Sequence, residues 1–76
     1  MITVYSKDQC VYCEKAVTLL KLKAKEHVVY KLGKDFDRET ILEMFPTAKT
    51  FPIIVVDKVY IGGYNELEKM LKEGKL

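Results

Sequence analysis

The stretch Cys10-Val11-Tyr12-Cys13 sits where the hydrophobic period of the chain changes, and that junction narrows the folds open to it. Before it, Ile2-Thr3-Val4-Tyr5 alternates as a strand does, and Ser6 to Gln9 is polar and reads as a loop. After it, Cys13, Ala16, Val17 and Leu20 recur on one helical face, with Leu19 and Leu22 beside them. Glu14, Lys15, Thr18, Lys21 and Lys25 fall elsewhere. A strand feeding a helix through a short loop places one thiol at the helix opening and the other in its first turn. Helix N-terminal N–H groups stabilise a thiolate, and a free cysteine pKa of ~8.5 falls into the ~3.5–7.5 range in such settings. Cys10 is therefore expected to ionise readily and to be the exposed attacker. Lys7 is a candidate cation upstream, and Asp8 opposes it. Cys13 points toward the helix–sheet packing and acts second, as the resolving thiol. Tyr12 is expected to lie across the surface beside Cys10, where it flanks a bound thiol substrate.

These are the only two cysteines in 76 residues, so a secreted disulfide framework is not the natural reading. Half of a zinc site is an alternative, but structural zinc wants four ligands and His27 is the only other soft one. A pair of inert buried cysteines is a second alternative. The helix-start placement favours thiol–disulfide chemistry over both, and no metal ligand is assigned. His27 receives no catalytic role. A net charge of +2 does not point to nucleic acid or an anionic membrane. No apolar run approaches the roughly 18–20 residues of a membrane span. The N-terminus lacks a signal-peptide layout, so a cytoplasmic location is expected.

The remaining chain contains no repeat and no linker, and residues 1–76 are read as one domain. His27 to Leu32 reads as a second strand closed by Gly33. Asp37 caps a short helix with Ile41, Leu42 and Phe45 on one side, ending at Pro46. Ile53-Ile54-Val55-Val56 reads as a strand buried on both faces. Asp57-Lys58 makes a tight hairpin to Val59-Tyr60-Ile61, although no glycine occupies that turn. Gly62-Gly63 breaks the strand. Asn65 and Glu68 have capping-box spacing for a last helix, with Leu67, Met70 and Leu71 as its apolar stripe and Gly74 as its stop. The order β-α-β-α-β-β-α predicts an α/β fold, one mixed sheet with helices packed on both faces.

Phe51-Pro52 precedes the buried strand. Proline cannot donate to a sheet ladder and belongs at a strand start, which is the simpler reading here. Phe51, biased to an extended conformation, also has the geometry to pair with an extended ligand backbone.

Three segments resemble the glutaredoxin family of the thioredoxin superfamily. Tyr5-Ser6-Lys7 with Cys10-Val11-Tyr12-Cys13 resembles its strand-lysine-CPYC start. Thr50-Phe51-Pro52 resembles its TVP segment, and Ile61-Gly62-Gly63-Tyr64-Asn65-Glu66-Leu67 its IGG-x-x-(D/E)-L segment. The Val-Tyr filling is similar to that of phage-type dithiol glutaredoxins. The resemblance implies a minimal thioredoxin-like fold: a four-stranded sheet in order 2-1-3-4, three helices, strand three antiparallel to strand one, and a cis Pro52 opposite Cys10. It implies glutathione as co-substrate, with no permanently bound cofactor. Phe51 would pair with the glutathione backbone, and Lys7 and Lys49 would meet its glycyl carboxylate. Tyr64 and Asn65 would meet its γ-glutamyl carboxylate, in keeping with anion binding at a helix N-terminus. The blander readings remain, with Lys7 a solvated loop lysine and Asn65 only a cap.

This sequence departs from the family pattern at Val11, where proline is usual, at Phe51, where a small aliphatic is usual, and at Asn65-Glu66. The expected function is that of a monomeric thiol–disulfide oxidoreductase, with Cys10 nucleophilic and Cys13 resolving. Its partners would be glutathione and disulfide-containing or glutathionylated proteins, ribonucleotide reductase among them. Recharging by a thioredoxin reductase is one alternative. A non-enzymatic iron–sulfur carrier is another, which the bulky Val11-Tyr12 filling disfavours.

Overall fold

Alternation along the first strand sorts the whole core. In β1 (Ile2–Ser6), Ile2 and Val4 point to one side and are buried, while Tyr5 points to the other. β3 (Ile53–Val56) repeats the device, sending Ile54 to the first side and Ile53 and Val55 to the second. The structure, a computed structural model, describes residues 1–76. β2 (His27–Lys31) pairs in parallel with β1, β3 pairs antiparallel with β1, and β4 (Val59–Gly62) pairs antiparallel with β3. The sheet order is β2-β1-β3-β4, as the family resemblance implies.

On the first face lie α1 (Val11–Leu22) and α3 (Tyr64–Lys72). Ala16 and Leu20 of α1 and Leu67 of α3 close a core with Ile2, Val4 and Ile54. On the second face α2 (Arg38–Met44) and the segment after it bring Ile41 and Ala48 against Ile53 and Val55, ringed by Tyr5, Phe36, Phe45, Phe51 and Tyr60. Leu20, Ile41, Ile54 and Leu67 are fully buried, and each such side chain contributes roughly 1.5–3 kcal/mol of transfer free energy. The expected α/β architecture with helices on both faces is what the chain adopts.

Local chemistry sets the element ends. Asp37 caps α2 as its sequence predicts, its carboxylate accepting from the Thr40 N–H at 2.7 Å. The hairpin turn is tight, and both of its central residues, Asp57 (φ 49°) and Lys58 (φ 71°), take the left-handed conformation without a glycine. α3 corrects the expected cap. Asn65 lies inside the helix, two residues past the cap, and Gly63 is the N-cap. Glu66 supplies one half of a capping box, its Oε1 accepting from the Gly63 N–H at 2.7 Å, and glycine has no side chain to return the bond. The glycine pair explains this register. Gly62 sits at φ 123°, and a Cβ there would lie 2.5 Å from Glu66 Oε1. A Cβ on Gly63 would lie 3.3 Å from the Pro52 carbonyl oxygen, so the small residue lets the helix start come close to the Phe51–Pro52 segment. Two apolar positions also depart from expectation. Leu42 is exposed although Ile41 and Phe45 pack, because α2 is seven residues long and presents one buried row. Leu22 is likewise exposed at the end of α1.

Candidate functional site

Cys10 is the N-cap of α1, with extended backbone at φ −123° and ψ 104°. Its Sγ accepts from the Cys13 N–H at 3.2 Å, so one of the orphan donors of the helix start is spent on sulfur. Cys13 lies in the first turn and is 3% exposed, whereas Cys10 remains partly open to solvent. The two sulfurs are joined as a disulfide across a Cα–Cα distance of 5.2 Å. A sulfur reaching this pair from outside therefore meets Cys10 first. The loop before it turns through Gln9 at φ 53°. Asp8, expected to oppose a thiolate, is paired with Lys31 at 3.1 Å on the surface.

Two open grooves flank this opening. One, of about 480 Å³, is lined by Tyr12, Phe51, Pro52, Tyr64 and Asn65 among others, which brings together five residues singled out from the sequence. Lys49 is its only cation and Glu66 its only carboxylate. Phe51-Pro52 is a cis peptide bond, and the Phe51 N–H and C=O make no backbone hydrogen bonds. The second groove, of about 400 Å³, is lined by Lys7, Cys10 and Cys13. Lys7 is thus set apart from the other five, although its Nζ lies 5.7 Å from the centre of the Phe51 ring. Glu66 was not among the expected site residues, yet Gly63 and Glu66 have the G-x-x-E spacing of a capping pair, which is readable in the sequence.

Tyr12 and Tyr64 form one wall of the first groove, their rings 5.8 Å apart and inclined at 41°. Partial burial raises the Tyr64 phenol above its ordinary value, and the Glu68 carboxylate, which accepts from it at 3.2 Å, adds to the rise. Tyr64 therefore keeps its proton throughout the neutral range. Asn65 is exposed beside it, with its helix N–H groups nearby.

A protein-family model described as glutaredoxin matches residues 2–61. The chain belongs to the glutaredoxin family. Glutaredoxin 1 of Rickettsia bellii is 34% identical over 99% of this chain and 81% of that protein. A probable glutaredoxin of Synechocystis is 30% identical over 99% of this chain and 86% of its own length. Among solved structures, a dithiolic glutaredoxin from Trypanosoma brucei brucei superposes with a TM-score of 0.82 at 32% identity, covering 99% of this chain and 80% of that one. A buckwheat glutaredoxin–glutathione complex superposes at 0.83 over 99% of this chain and 71% of that one, and at 23% identity this shows the shared fold. With its Cys10–Cys13 pair at the head of α1, this glutaredoxin is a dithiol redox protein, a thiol–disulfide oxidoreductase. No helix is long and apolar enough to cross a membrane.

Proposed function

We propose that the chain works as a single domain that reduces protein disulfides and glutathione mixed disulfides and is recharged by glutathione. The observation that carries this is the groove lined by Tyr12, two residues along α1 from the partly exposed Cys10, with an aromatic wall, a Phe51 backbone free of backbone hydrogen bonds and a helix N-terminus at Tyr64 and Asn65. Glutathione has a part for each: an extended backbone for Phe51, and carboxylates for Lys49 and the helix start. The buckwheat neighbour, solved as a glutathione complex, supports the reading.

In the proposed cycle the Cys10 thiolate attacks a substrate disulfide, forming a mixed disulfide and releasing one substrate thiolate. Cys13 then attacks Cys10 Sγ and releases the second, leaving the Cys10–Cys13 disulfide. One glutathione thiolate attacks Cys10 Sγ, and Cys13 departs as thiolate and takes a proton. A second glutathione attacks the bound glutathione sulfur, returning Cys10 and yielding oxidised glutathione. Two electrons pass from two glutathiones to one disulfide. Tyr12, Phe51, Pro52, Tyr64 and Asn65 would line the bound tripeptide, and Lys7 would act from the other flank through its charge. Disulfide-bearing proteins, ribonucleotide reductase among them, are the proposed substrates, met by a monomer in the cytoplasm.

The test is a turnover assay with glutathione and glutathione reductase, run beside thioredoxin reductase as sole electron source. Saturable turnover with glutathione is expected, and turnover with the flavoenzyme alone would overturn this reading. Cys10→Ser is expected to abolish both activities. Cys13→Ser is expected to lose protein-disulfide reduction and keep attack on glutathione mixed disulfides, which needs one thiol. Equal loss in both variants and both assays contradicts the division of labour.

A further inference from the structure

We propose that Lys15 and Glu68 are positioning residues that brace Tyr12 and Tyr64 as one wall of the groove, and so set the affinity for glutathione-bearing substrates. The inference rests on the glutathione reading above. Tyr12 and Tyr64 line the groove, whereas Lys15 and Glu68 do not. Each ring meets a charged side chain one turn along its own helix. Lys15 Nζ lies 5.3 Å from the centre of the Tyr12 ring, one turn along α1. The Tyr64 hydroxyl donates to Glu68 Oε2 at 3.2 Å, one turn along α3. Lys15 makes no ion pair, so its charge faces the ring without a competing carboxylate. The other Glu68 oxygen lies 3.9 Å from Lys72 Nζ, which orients that carboxylate in turn. Lys15 and Tyr64 also line a shallow depression with Val11 and Leu19, which shares only Tyr64 with the groove.

The wall needs such support because Tyr12 is 54% exposed and meets no core cluster. An exposed aromatic ring changes rotamer on the ps–ns timescale, and a ring free to do so leaves the groove open on one side or fills it. Cation–π contact and a ring–ring contact at this separation both favour the single observed arrangement. Neither Lys15 nor Glu68 lines the groove that holds the ligand, so their loss is expected to move binding and leave the exchange step at sulfur alone.

Two pairs of variants test this in the full chain: Lys15→Met against Lys15→Arg, and Glu68→Ala against Glu68→Gln. The probe is the mixed disulfide of glutathione with 2-mercaptoethanol, at saturating glutathione. Lys15→Met and Glu68→Ala are expected to raise KM about twofold to fivefold, with kcat unchanged from the parent. Lys15→Arg keeps a cation and Glu68→Gln keeps an acceptor, and both are expected to restore KM. Reduction of the Cys10–Cys13 disulfide by dithiothreitol, which carries no glutathione, is expected to be unchanged in all four. A KM unmoved in both Lys15→Met and Glu68→Ala, with the parent saturating normally, overturns the inference alone. A fall in kcat at constant KM, or failure of the conservative variants to rescue, overturns it as well. A parent protein that shows no saturation with this probe overturns the glutathione reading itself, and the inference with it.

Discussion

Two residues of the same type, three positions apart, receive different environments from one helix turn. Cys10 caps α1 and stays partly open, while Cys13 falls on the buried stripe with Ala16 and Leu20. That asymmetry was legible in the sequence, because the period that buries Ala16 and Leu20 also buries Cys13. Glycine chemistry at Gly62 is as specific. Gly62→Ala places a methyl against Glu66 Oε1 at 2.5 Å and forces a side chain into φ 123°. The variant is expected to lose more than about 1 kcal/mol of stability, measured by denaturant unfolding. A loss no larger than that of an average surface change would show that the Gly62–Glu66 approach relaxes freely. Lys7 was the residue the sequence placed least well. Its motif position next to β1 puts it near Cys10, but the groove on which side of the sulfur it lines depends on the loop through Gln9, whose positive φ carries no sequence signature.

At the scale of elements, the ends were harder to read than the elements themselves. α3 offered two overlapping capping patterns, Gly63 with Glu66 and Asn65 with Glu68. Asparagine is the better cap by preference, yet the close approach of Gly63 to the Pro52 carbonyl fixes the start two residues earlier. Both long helices stop in the same way. The Lys25 N–H bonds to the Leu20 carbonyl at 2.9 Å and the Lys75 N–H to the Met70 carbonyl at 2.9 Å, with left-handed residues at Ala24 (φ 54°) and Gly74 (φ 71°). Only α3 uses glycine there. Ala24→Gly is expected to stabilise the protein by up to about 1 kcal/mol, read as a higher denaturant midpoint with unchanged slope. A lower midpoint would mean that the left-handed turn at Ala24 is not the native one. The cap of α2 gives a pH signature. Bonds from the Thr40 N–H and its side chain lower the Asp37 carboxyl from its ordinary value of 3.8. The folded state thus binds this proton less readily than the unfolded one. The stability it adds is present above 3.8 and is lost as pH falls through the lower folded value. Asp37→Asn, which keeps an acceptor and cannot titrate, is expected to flatten that part of the thermal-midpoint profile. An identical acid profile in the variant would mean that Asp37 does not contribute to the acid loss of stability.

For the whole molecule, the strand order and the split of helices between faces followed from periodicity together with the family resemblance, since alternation in β1 and β3 leaves both faces apolar. What periodicity could not supply is how three distant segments meet. Tyr12 from α1, Phe51-Pro52 from the approach to β3 and Tyr64-Asn65 from α3 converge on one groove because β1, β3 and the α1–α3 layer bring those ends of the elements together. The aromatic wall across α1 and α3 is a product of that convergence and has no counterpart in local sequence. The same convergence brings the helix start that Cys10 caps within two residues of the groove wall at Tyr12. In the reduced protein α1 is expected to make Cys10, and not Cys13, the ionised thiol. Thiolate ultraviolet absorbance, followed against pH in the parent, Cys10→Ser and Cys13→Ser proteins, tests it directly. One thiol is expected to titrate well below the free value of ~8.5, and this transition is retained in Cys13→Ser and lost in Cys10→Ser. A low-pH transition that survives in Cys10→Ser, or none below that value in the parent, would contradict it.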